Sequence, residues 1–140
     1  MEKEFVPYEE AIVLKELEFD EPCLSFYYDK TKFLKLDCNP EHLICKNKAS
    51  FIFGNENYDV TLAPTYQQAF RWFREKHKLH GFIENTCVQD GDTYHAYINS
   101  TNVGIIGLKS KRLFNMFDFK TYEEAQIGCI KKLIEIVKNK

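Results

Sequence analysis

A chain of 140 residues with 44% hydrophobic and 29% charged side chains has the balance of one folded globular domain rather than of a disordered tail. The longest uninterrupted apolar run, Val103 to Leu108 counting glycine, falls far short of the roughly 20 residues that cross a bilayer, which excludes a helical membrane protein. A net charge of -2 and a sequence pI near 6.1 lack the basic footprint of a dedicated nucleic-acid binder.

The small net charge hides an uneven distribution. Residues 1 to 21 hold eight acidic and two basic side chains, and residues 109 to 140 hold eight basic and four acidic. Met1-Glu2-Lys3-Glu4 opens acidic and no apolar stretch with a small-residue cleavage site follows, so a cytoplasmic location is expected. The five cysteines, Cys23, Cys38, Cys45, Cys87 and Cys129, are odd in number and form no C-x-x-C pair, which points to reduced, mostly buried thiols rather than a disulfide framework.

In chain order, the first predicted element is a helix over about Tyr8 to Leu17, opened by Pro7 and apolar on more than one side through Ile12, Val13, Leu14 and Leu17. Alternating aromatic and β-branched runs then predict strands at Cys23 to Tyr28, Lys32 to Leu36, Ser50 to Phe53 and Tyr58 to Leu62, with Asp29-Lys30 and Gly54-Asn55-Glu56-Asn57 as turns. Thr65 is a good N-cap for a second helix, about Tyr66 to Lys78. Its stripe is Tyr66, Ala69, Phe70, Phe73 and His77, with Arg71, Arg74, Glu75 and Lys78 turned away and Trp72 off the main stripe. Strands are predicted at Gly81 to Val88, Thr93 to Asn99 and Gly104 to Lys109, the first two joined at Asp90-Gly91, followed by a basic loop. Thr121 and Glu124 have the capping-box spacing for a last helix, about Tyr122 to Val137, with a broad face of Ala125, Cys129, Ile130, Leu133, Ile134, Ile136 and Val137. This order predicts an α+β fold over residues 1 to 140: a largely antiparallel sheet with about three helices packed on it.

Catalytic chemistry finds little support. No nucleophile elbow is present, the carboxylate pairs Glu9-Glu10 and Glu123-Glu124 open helices, Asp90 and Asp92 flank a turn, and Gly104-x2-Gly107 lacks the phosphate-loop pattern and its lysine. A non-enzyme without a cofactor is expected. Cys38-x3-His42-x2-Cys45 offers three zinc-compatible ligands, with His77, His80, Cys87 or His95 as a fourth, yet the spacing is not that of a zinc finger. A loop with two incidental cysteines is the plainer reading. His77 lies on an apolar helix face, where a hydrogen-bonded core histidine is expected.

Binding is better supported. Tyr8, Trp72, Phe114, Met116 and Phe117 are candidates for a protein interface, including self-association, because aromatic and Met residues are enriched there and aromatics make up 15% of the chain. The alternative is nucleic-acid binding, in which Arg71, Arg74 and Lys78 around Trp72, and Lys109, Lys111 and Arg112 before Phe114, supply cations for phosphates and rings for stacking.

Three stretches also carry a resemblance: Phe5-Val6-Pro7-Tyr8-Glu9-Glu10-Ala11 with Asp20-Glu21-Pro22-Cys23, Pro64-Thr65-Tyr66-Gln67-Gln68-Ala69-Phe70-Arg71-Trp72-Phe73-Arg74-Glu75-Lys76, and Thr121-Tyr122-Glu123-Glu124-Ala125 through Lys131-Lys132-Leu133-Ile134-Glu135. Together they resemble small uncharacterised proteins encoded by phages and prophages of gut Bacteroidetes. The resemblance implies an accessory factor and brings no catalytic residues with it.

Overall fold

The computed structural model describes residues 2–36, 50–53, 56–88, 91–103 and 108–140, with side chains at 3–36, 59–85, 93–100 and 119–140. Its elements are a 3-10 turn at Glu2–Glu4, then α1 (Tyr8–Glu16), β1 (Ser25–Tyr28), β2 (Phe33–Leu36), β3 (Ser50–Phe53), β4 (Glu56–Leu62), α2 (Tyr66–His77), β5 (Leu79–Val88), β6 (Gly91–Val103), β7 (Leu108–Phe119) and α3 (Tyr122–Lys138). The fold is α+β; among the described residues there are three α-helices, and the antiparallel strands form two sheets, ordered β2-β1-β4-β3 and β5-β6-β7. The chain packs as two compact units, Met1–Ala69 and Phe70–Lys140, and the boundary between them falls inside α2.

The first unit is built on β1, a strand with partners on both sides. Tyr27 sits at its centre, packed with Ala11 of α1 and Ala63 after β4, and Phe5, Tyr8 and Leu34 close around this cluster. Burying a tyrosine ring leaves its hydroxyl to be satisfied, and Tyr27 Oη donates to the Val6 carbonyl at 2.9 Å. That bond ties the residues before α1 to the sheet, as does the pairing of Phe5 with Thr65 and of Val6 N with Pro64 O at 2.9 Å. α1 ends where Glu18 turns left-handed (φ 64°), which lets Phe19 N donate back to Leu14 O at 2.9 Å and buries the Phe19 ring.

α2 begins with a reciprocal cap. Gln68 N donates to Thr65 Oγ1 at 3.2 Å while Thr65 N donates to Gln68 Oε1 at 2.9 Å, so two backbone N–H groups that the helix leaves open are both satisfied. Gln68 Nε2 also donates to Pro22 O at 2.9 Å, which fixes the helix start against the segment before β1.

In the second unit α3 lies on the β5-β6-β7 sheet and buries Ala125, Cys129, Ile130, Leu133 and Ile134, the core of the face read from the 3.6-residue period. Its cap has the predicted partners, with Glu124 N donating to Thr121 Oγ1 at 3.1 Å and Lys120 N donating to Glu124 Oε2 at 3.1 Å. From the sheet, Leu79, Ala96 and Ile98 are buried and Gly81 meets the helix layer. A Cβ on Gly81 would lie 2.8 Å from Phe70 Cε1 of α2 and 2.9 Å from Cys129 Sγ of α3, so both helices approach the strand through the space a side chain would fill. The Cys129 thiol is buried there, 4.0 Å from the Tyr97 carbonyl, and burial pushes its pKa up to about 12.

Two strand expectations change. β7, which pairs with β6 from Leu108 opposite Val103 to Phe119 opposite Tyr94, takes in the last two residues of the strand expected at Gly104 to Lys109 and then the stretch read as a basic loop, while residues 104–107 lie outside the described ones. Loop composition was outweighed there by cross-strand pairing, which a local reading of the sequence does not contain. The β5-β6 register differs from the one a turn at Asp90-Gly91 implies, because Val88 pairs with Gly91, and Asp90 lies outside the described residues.

Candidate binding surfaces

The sequence-derived candidates separate by depth. Trp72 is 2% exposed, with its ring edge-on to Phe73 (5.0 Å) and His77 (4.7 Å), so it is not a surface anchor for protein or bases. It lies off the main stripe, but α2 buries a wider arc than a single stripe provides. Tyr8 is half-buried, with its ring edge-on to Tyr27 at 5.4 Å and its hydroxyl donating to the Asp29 carbonyl at 3.2 Å. Lys32 Nζ lies 5.1 Å from the centre of the Tyr8 ring and pairs with Glu9 Oε1 at 2.5 Å. Arg71, Arg74 and Lys78 are exposed on α2 and just after it.

Lys109, Lys111, Arg112, Phe114, Met116 and Phe117 all fall in β7, where their side chains lie outside the described ones. In the register Lys109 stands opposite Asn102, Lys111 opposite Ser100, Arg112 opposite Asn99, Phe114 opposite Ile98 and Met116 opposite Ala96. Cys38, His42 and Cys45 lie outside the described residues. His77 is half-buried against Trp72 and Phe73, as a core histidine would be, yet its Nε2 has no hydrogen-bond partner among the described residues. Burial, followed by the charges of Lys140 and Lys76, holds its pKa below the usual imidazole value.

Two surfaces emerge that the sequence reading did not name. The first belongs to the first unit. Among the described residues β2 is the terminal strand of its sheet, paired on one side only, and it carries Phe33 at 63% exposure and an exposed Leu36. Leu24, also exposed, directly precedes Ser25, the partner of Leu36. The nearby cations are engaged: Lys32 with Glu9, and Lys35 Nζ with the Tyr28 hydroxyl at 3.5 Å.

The second is the sheet face of the second unit that points away from α3. Side chains alternate along a strand, so if Gly81, Ala96 and Ile98 meet the helix layer, His80, Phe82 and Glu84 of β5 and His95, Tyr97 and Asn99 of β6 share the other face. The register sets Phe82 opposite Tyr97, His80 opposite Asn99 and Glu84 opposite His95. Phe82 is 49% exposed in mid-strand. His80 stacks on Phe82 with centroids 6.0 Å apart and planes at 19°, and Tyr97 Oη lies 3.4 Å from His95 Nδ1. Burial first, and the Arg74 charge second, lower the His80 pKa.

Comparison with known proteins adds one fragment. A stretch of 46 residues, 33% of this chain, is 46% identical to part of a leucine–tRNA ligase from Buchnera aphidicola, of which it spans 5%. No protein-family model matches the chain, and no solved structure does.

Proposed function

We propose that this protein is a non-catalytic interaction module whose first unit takes up an extended segment of a protein partner along β2. The observation that carries this reading is Phe33, 63% exposed on a strand whose outer edge has no partner among the described residues. Such an edge offers main-chain hydrogen bonds for affinity and side-chain contacts on alternate positions for specificity. Charge selects the occupant. Residues 1 to 69 hold thirteen acidic and seven basic side chains, a net of -6, so a symmetric pairing of this unit with a second copy is opposed by its own field. A basic or neutral partner segment is not. The resemblance to phage and prophage accessory proteins fits a role of this kind.

The test is recovery of partner on tagged protein from host lysate treated with nuclease, comparing the natural sequence with Phe33→Asp. Recovery of one stoichiometric partner should fall at least roughly tenfold in the variant, the scale of a lost interface anchor. Unchanged recovery on a variant with unaltered melting would sink the proposal, and so would sedimentation of the purified chain as a dimer that Phe33→Asp splits.

A further inference from the structure

We propose that the open face of β5 and β6 binds a single strand of nucleic acid, with bases stacked on Phe82 and Tyr97. This goes beyond the reading for β2 and rests on a different unit. An exposed ring is costly to leave in water, and here Phe82, half-exposed, is set among part-buried rings: Tyr97 directly opposite, His80 stacked beside Phe82 and His95 beside Tyr97. Directly opposite residues on paired strands hold their Cβ atoms roughly 4.5 to 5.5 Å apart, so Phe82 and Tyr97 form one platform on which unpaired bases splayed out of a helical stack can lie. Every base has a π-face, so such a platform tolerates any sequence.

Charge matches the occupant. Residues 70 to 140 hold twelve basic and eight acidic side chains, a net of +4, within a chain whose total is -2. On the edge nearest His80, Arg74 is exposed and close enough to depress that imidazole's pKa. On the far side of the face Arg112 occupies the register position opposite Asn99. Among the described side chains the acidic group on this face is Glu84, opposite His95, which limits phosphate to the margins and leaves the centre to bases. The composition of the whole chain concealed this unit because the acidic excess of residues 1 to 69 outweighs it.

The experiment is fluorescence anisotropy of the full chain with labelled ribo- and deoxyribo-oligomers of about 12 nucleotides, at about 50 and 200 mM salt, with the matching duplex as a third probe. Binding of a single strand in preference to duplex is expected. Phe82→Ala should weaken it roughly five- to hundredfold with no change in melting temperature, since Phe82 is half in solvent. Tyr97→Leu should do the same, while Phe33→Asp should leave it intact. The ratio of ribo- to deoxyribo-oligomer affinity identifies the sugar. The proposal is overturned if no oligomer binds at about 50 mM salt, if duplex binds as well as single strand, or if Phe82→Ala binds like the natural chain. It is equally overturned if the Phe82 patch captures a nuclease-resistant protein while no oligomer binds.

Discussion

Lys78 closes α2 with a left-handed backbone (φ 58°), a conformation that costs an L-residue with a Cβ roughly 1 to 2 kcal/mol and costs glycine almost nothing. Its side chain returns little: Lys78 Nζ donates to the Glu75 carbonyl at 2.8 Å, in solvent. Lys78→Gly should therefore raise stability by about 0.5 to 1 kcal/mol in urea denaturation, net of the extra freedom glycine gains in the unfolded chain. The histidines give a pH dependence of opposite kind. His77 and His80 both have folded-state pKa values below the ordinary imidazole value, the first mainly through burial beside Trp72 and Phe73. The unfolded chain takes up these protons first, so this stability is present above about pH 6.5 and is lost as pH falls. Melting should drop between about pH 7.5 and 5.5, and the drop should be smaller in His77→Gln, whose lost ring nitrogen Nε2 had no partner among the described residues.

At the scale of elements, the helix ends were legible because capping is local chemistry. Thr65 with Gln68 and Thr121 with Glu124 sit three residues apart and make the bonds that spacing implies. Removing one such bond has a known size, and Thr121→Ala should cost about 1 kcal/mol by thermal unfolding. Gly81 was legible only as a residue inside a strand. Its reason is tertiary, the meeting of Phe70 from α2 with Cys129 from α3, and Gly81→Ala should cost about 1 to 3 kcal/mol because a phenyl edge and a short thiol side chain have little room to yield. Cys129→Ala, which removes one of the two obstructing groups, should recover part of that loss. The open face was half legible. A turn at Asp90-Gly91 would set Phe82 opposite Asn99, whereas the observed register sets it opposite Tyr97. A shift of two residues keeps every side chain on its face, so alternation gives the face correctly while the ring pair depends on the turn. Trp72 escaped for a related reason, since helical periodicity describes one buried stripe and α2 buries more than one.

At the scale of the whole chain, the division between Ala69 and Phe70 cuts a continuous helix. The capping box of α2 lies in the first unit, and Trp72 and Phe73 lie in the second. A helix of twelve residues is marginal in isolation, so α2 draws its stability from the side chains it buries. The intact chain should unfold in one transition, with circular dichroism and tryptophan fluorescence coincident, and a fragment ending at Ala69 should lack the helical signal of α2. Two separate transitions would show that the units fold as independent bodies. The charge division follows the same boundary, -6 against +4, so a composition read over the full length averages two surfaces of opposite character.

The thiol at Cys129 carries a consequence for how this molecule can be watched. Held protonated by burial and wedged between α3 and Gly81, it is unreactive until the layer that covers it separates. Its alkylation by a small reagent is then a clock: the slow rate of modification, followed residue by residue by mass spectrometry, counts how often helix and sheet part company in otherwise native protein. A ligand that clamps the sheet from its opposite face would slow that clock without ever touching the sulfur.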